Sequence, residues 1–183
     1  MRRPFPSTIM ADQLLPQDRL QPALLDRLTD DEPEKKQEPR EARVLSKNRL
    51  RQSVLRDLAW LFNATRLEGE ADLTQSPFVR NSVLNFGLPA MSGKVASSLD
   101  VTDLTRAIRE AILSFEPRIL PSTLEINTLL EGGDLDHHNV LGIEIHGQLW
   151  AQPVPLEFLV RTDFDLETGK VLITDLVSSQ RVA

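Results

Sequence analysis

The sequence predicts an α+β protein: about three N-terminal helices packed on a small antiparallel sheet of about four strands, preceded by an extended N-terminal arm. Three observations predict it. Apolar residues recur at helical spacing in separate stretches up to Phe115, and strict alternation takes over from Leu124 onward. The connections between the alternating stretches are short, which favours an antiparallel meander. Helices first and strands afterwards, segregated along the chain, give α+β rather than α/β. With 183 residues the chain accommodates one domain plus an extension. It divides into an arm, residues 1–44, and a domain, residues 45–183.

The arm is rich in proline and charge. Its one apolar cluster is Leu20, Ala23, Leu24, Leu25 and Leu28. That is about two turns of amphipathic helix, too short to persist alone in water. It is either a solvated tail or a segment that orders on docking. In the first domain helix, SKNRLRQSVLRDLAWLFN, Leu50, Val54, Leu58 and Leu61 form a stripe widened by Leu55 and Phe62, and Ser46 is the N-cap. Lys47, Arg49 and Arg51 stand at the positive end of the helix dipole, and Arg40, Arg43 and Arg56 extend the cluster. This is a solvated face answering the acidic DDEPE, or a contact for an acidic partner.

SPFVRNSVLNFGLP carries Ser76 as N-cap, Pro77 at the first helical position, Gly87 past the end and Pro89 beyond, which predicts a second, short helix. In the third, LDVTDLTRAIREAILSFE, Asp100 is the N-cap and Leu99 with Leu104 has the spacing of a hydrophobic staple. Leu104, Ile108, Ala111, Ile112 and Phe115 face the core. Pro117 disfavours helical geometry at Glu116, so the helix ends there.

Strands follow: TLEINTLLE, VLGIEIHGQLWA, PLEFLVRTDF and VLITDLV, with GGDLDHHN as a loop and DLETGK as a hairpin turn. Pro153 and Pro155 cannot donate to a ladder, which leaves the stretch from Leu124 to Glu131 or that from Val171 to Val177 as the open sheet edge.

Composition narrows the function. The net charge is −6, against the basic footprint of nucleic-acid binders. Without cysteine there are no disulfides or thiolate metal sites, which fits a reducing compartment. No apolar run approaches the roughly 20 residues of a membrane span. The basic start MRRPFPSTIMADQ has no apolar stretch behind its arginines and is not read as a signal peptide. His137 and His138, beside Asp134 and Asp136, read as a polar loop rather than a metal site, and no phosphate loop, nucleophile elbow or HExxH occurs. No metal or cofactor is expected.

SFEPRIL holds the most pointed residues. Glu116 lies at the negative end of a helix, where a carboxylate is unfavourable. Pro117 makes a rigid elbow that presents Glu116 and Arg118 in fixed directions. The pair is an internal clasp between helix end and first strand, or a preorganised pair for a partner. A third use is catalytic: Glu116 with Glu125 or Asp134 as the two carboxylates of a glycan hydrolase. The chain lacks the aromatic platforms of sugar clefts, and a nearby arginine favours the ionised carboxylate, so this use is not preferred.

RLRQSVLRDLAWLFN, SVLNFGLP and IREAILSFEPRIL, in this order and spacing, resemble the TssE proteins of type VI secretion systems, as does PALLDRLTDD in the arm. These in turn resemble wedge proteins of contractile phage baseplates, a family long labelled lysozyme-like. The resemblance spans roughly residues 20–177; Phe86 stands where family members often have tyrosine. It implies a cytoplasmic baseplate subunit at the inner face of the inner membrane; the lysozyme label does not carry over, because the site chemistry gives it no support, and no enzyme is expected. It implies assembly with TssF and TssG, contact with the sheath proteins TssB and TssC, and a part in starting sheath polymerisation, with no nucleic acid and no membrane insertion. It implies that Glu116, Pro117 and Arg118 serve assembly. Leu24, Leu25 and Leu28 of the arm are read as a second partner contact.

Overall fold

The computed structural model describes residues 23–29, 34, 46–69, 71–80, 82–91, 100–129, 140–151 and 154–179. Two long helices and a sheet share the core. Helix α1, Leu24–Leu28, belongs to the arm, and α2, Lys47–Asn63, opens the domain. Ser46 caps α2 by accepting from the Arg49 N–H at 3.2 Å, and Leu50, Val54, Leu58, Leu61 and Phe62 are buried. The predicted second helix is instead two short turns: α3, Pro77–Arg80, and a 3-10 turn, Val83–Asn85. Ser82 explains the break. Its hydroxyl donates back to the Val79 carbonyl and accepts from the Leu84 N–H, so local side-chain bonds replace the next helical ones.

Gly87 follows with φ +123°. A Cβ there would stand 2.3 Å from the Ala64 carbonyl oxygen, because Leu88 donates to that oxygen and accepts from the Arg66 N–H. The glycine is required by this close crossing rather than by the end of a helix.

The next long helix, α4, Val101–Phe115, is the predicted one: Asp100 accepts from Thr102 and Asp103, and Leu104, Ile108, Ala111 and Ile112 are buried. Leu99, and with it the staple, lies outside the described residues, as do Leu20, Arg40, Arg43, Asp134, Asp136, His137 and His138.

The sheet is a four-stranded antiparallel meander in the order β1-β2-β3-β4, formed by Glu125–Leu129, Val140–Leu149, Leu156–Asp165 and Val171–Asp175. Ile143, Ile145, Leu149, Phe158, Val160 and Phe164 point into the core, and the other face carries Glu144, His146, Arg161 and Asp163, the alternation of a sheet covered on one side. Helix α4 packs over β1 and α2 over β4. The predicted last strand stops at Asp175, whose carboxylate accepts from the Val177 N–H. Leu176–Ser179 is a short helical turn, α5.

Candidate functional site

The elbow is built by backbone first. Helix α4 closes with the Glu116 N–H on the Ile112 carbonyl at 2.8 Å. Pro117 then turns the chain, and residues 118–120 run beside the end of β2: Trp150 donates to the Arg118 carbonyl at 2.7 Å and Leu120 to the Gln148 carbonyl at 2.8 Å. This places a carboxylate and a guanidinium two residues apart beneath an exposed proline.

Their side chains turn inward. Glu116 is only 3% exposed. Both of its oxygens accept from Arg118, Oε1 from Nε at 2.6 Å and Oε2 from Nη2 at 2.5 Å, a two-pronged pair of the strong, directional kind. Arg118 also reaches α2, donating to Ser53 Oγ at 3.1 Å and to Asp57 Oδ2 at 2.5 Å. Burial alone pulls the Arg118 pKa down, but hydrogen bonds and charge from Glu116, then from Asp57, outweigh it, and the net shift is upward. The clasp therefore exists, and its far end is α2, about 60 residues earlier in sequence, rather than the first strand alone.

The chain of charges continues. Asp57 Oδ1 accepts from Arg56 Nε at 2.9 Å, and Arg56 Nη1 donates to Asp26 of α1 at 2.7 Å. Arg56 is thus answered by Asp26; most of the acidic DDEPE lies outside the described residues. Asp26 Oδ2 is buried without a hydrogen-bond partner among the described residues. Beside this chain lies a cleft of about 530 Å³, walled by Ala23 of the arm, Trp60, Phe86, Phe115 and Pro117. Arg56 stacks over Trp60, 5.3 Å from the ring centre, and Phe86 meets Phe115 edge-on at 5.2 Å. In α1, Leu24 and Leu28 are 71% and 73% exposed, and Leu25 is exposed as well.

Sequence reasoning missed Ser53, Asp57 and Asp26. The available signal was Ser53 and Asp57 at i and i+4 along one flank of the leucine stripe. Of the carboxylates read as a hydrolytic pair, Glu116 has both oxygens engaged by Arg118, Glu125 stands exposed on β1, and Asp134 lies outside the described residues. Among the described residues no group of three or more His, Asp or Glu side chains could hold a metal ion, and no helix is long and apolar enough to cross a membrane.

The sheet edges have their own geometry. Asp165 donates to the Lys170 carbonyl, so the backbone groups of Lys170, and by alternation of Leu172 and Thr174, face β3. Those of Val171, Ile173 and Asp175 face outward. Asn63 confirms it by bonding both groups of Val171, accepting from its N–H and donating to its carbonyl at 3.0 Å each. The same parity carried across β2 turns Ile126 and Thr128 of β1 outward, and the Leu124 carbonyl, which Arg109 caps at 2.9 Å. A side chain thus meets the first residue of β4, Val171, and the carbonyl just before β1, that of Leu124.

A family model described as baseplate wedge protein gp25 matches residues 48–154. The chain belongs to this family. The TssE proteins belong to it too. The match runs from α2 through the elbow and β2, leaving the arm, β3 and β4 outside it. Comparisons with curated proteins and with solved structures give no match. Family membership gives the chain a structural role in a contractile-tail baseplate, assembled with other baseplate proteins.

Proposed function

We propose that this gp25-family chain is the TssE-type subunit of a type VI secretion baseplate, built at the cytoplasmic face of the inner membrane with TssF and TssG. In this reading it is not an enzyme. The elbow, Glu116, Pro117 and Arg118, and the arm leucines, Leu24, Leu25 and Leu28, meet wedge partners, while the sheet helps to start polymerisation of the TssB and TssC sheath by accepting a strand. The observation that carries the reading is the family match over residues 48–154. The exposed leucines of α1 and the outward direction of the backbone groups at Ile126 and Thr128 support it, because outward groups at this spacing suit a further strand. Within the elbow, Pro117 is the exposed member, so the role of Glu116 and Arg118 is to hold its direction.

The test is capture of tagged full-length chain from its native cytoplasm. Wedge and sheath proteins should co-purify. Cleavage of peptidoglycan by the wild type and not by Glu116→Gln, with no baseplate protein captured, would instead establish the hydrolase.

A further inference from the structure

We propose that the arm helix and the Glu116–Arg118 elbow are one coupled binding surface, joined through Arg56 and Asp57, so that a partner engaging α1 alters the elbow and the reverse. This rests on the reading above that both segments meet wedge partners. Three observations carry it.

First, one guanidinium serves both sides: Arg56 holds Asp26 with Nη1 and Asp57 with Nε. Second, Asp57 divides its oxygens, Oδ1 to Arg56 and Oδ2 to Arg118. There is no break in the chain from Asp26 to Glu116. Third, the two segments face one cleft, with Ala23 on the arm side and Pro117 on the elbow side.

The chain alternates three carboxylates with two guanidinia. Drawing α1 away removes Asp26 and leaves Arg56 with Asp57 alone. Asp57 is then pulled between two arginines with a different balance of charge; Arg118, whose Nη2 is shared by Asp57 and Glu116, must adjust, and with it the Glu116 carboxylate that accepts the Arg118 backbone N–H. Helix α1 has five residues and no stability of its own, so its position depends on such contacts. Coupling between binding sites is reciprocal by linkage. Arg56 and Asp57 are positioning residues in this scheme, and neither needs to touch the partner.

The experiment is amide hydrogen exchange on the full-length chain, comparing wild type with Asp26→Asn and Arg56→Lys. Asparagine keeps the shape and removes the charge; lysine keeps the charge and loses the fork that spans two carboxylates. The amides of Arg118 and Ile119, bonded to Glu116, should exchange at least about threefold faster in both variants. Those of Ile145 and Val160, at the sheet centre, should not change. Elbow amides unchanged in both variants, or sheet amides accelerated as much as the elbow, would overturn the coupling. Binding of the same variants to co-expressed TssF and TssG gives the second readout, in which both should bind more weakly. An intact exchange effect with wild-type binding would overturn the use of these segments as a partner surface.

Discussion

Arg118 shows how one side chain can join two helices of a fold. Its guanidinium joins the end of α4, where Glu116 sits, to Ser53 and Asp57 on α2. A carboxylate buried as deeply as Glu116 is tolerated only because it is paired. Arg118→Ala should therefore cost about 3 kcal/mol, because it strands that charge, and lower the melting temperature by about 10 °C. Arg118→Lys should lose less, since it keeps the charge but not the fork. Thermal unfolding of both variants checks this. A wild-type melting temperature for Arg118→Ala with weakened partner binding would mean that the pair acts outward. Thr162 is the opposite case. Its hydroxyl is fully buried on β3 and has no hydrogen-bond partner among the described residues. Thr162→Val keeps the shape and removes the desolvated hydroxyl, so it should stabilise the domain by about 1 kcal/mol, read from the denaturant midpoint. Equal or lower stability would show that the hydroxyl finds a partner.

At the scale of elements, the turn between β3 and β4 is organised by Asp165, which accepts from the Glu167 and Thr168 N–H groups and from the Thr168 hydroxyl. The Thr168 hydroxyl, then its N–H, holds the Asp165 pKa below the usual carboxylate range. A depressed carboxylate contributes stability above its unfolded value and loses it as pH falls through the folded one. Asp165→Asn should thus be less stable than wild type at pH 7, with the gap closing below about pH 4; a gap independent of pH would assign the turn to backbone geometry alone. The edges give a sharper prediction. A proline at Ile126 or Thr128 removes an outward N–H, whereas one at Leu172 or Thr174 removes an N–H that already serves β3. The first pair should keep the fold and impair sheath assembly; the second should lower the melting temperature itself. Normal sheaths with folded Ile126→Pro and Thr128→Pro would mean that β1 accepts no strand, leaving β4 as the other edge to test.

These distinctions show where the sequence was legible. Caps, stripes and alternation are local, and Ser46, Asp100, the α4 face and all four strands could be read directly. The second helix starts at Pro77 as read but stops at Arg80, because Pro77 and Gly87 mark a start and a stop but do not reveal that Ser82 bonds locally between them. The elbow was legible as a turn presenting two charges. Its anchor was not, because Asp57 lies about 60 residues upstream and only packing brings α2 to it. Edge direction depends on register parity, which requires the paired partner.

For the whole molecule, the described residues form a helical layer over one face of a meander, with an exposed arm helix and a partly open sheet at its margins. Deleting residues 1–44 should leave a domain that folds, because the core cluster begins at Leu50, but assembles poorly; assembly equal to the full-length chain would make the arm a tail. The central claim, that this subunit helps to start the contractile sheath, is tested most directly by imaging a fluorescent sheath subunit in cells that lack this protein and in cells where it is restored. Sheaths should be absent without it and return with it. Sheaths that form in normal number and length without it would contradict the claim.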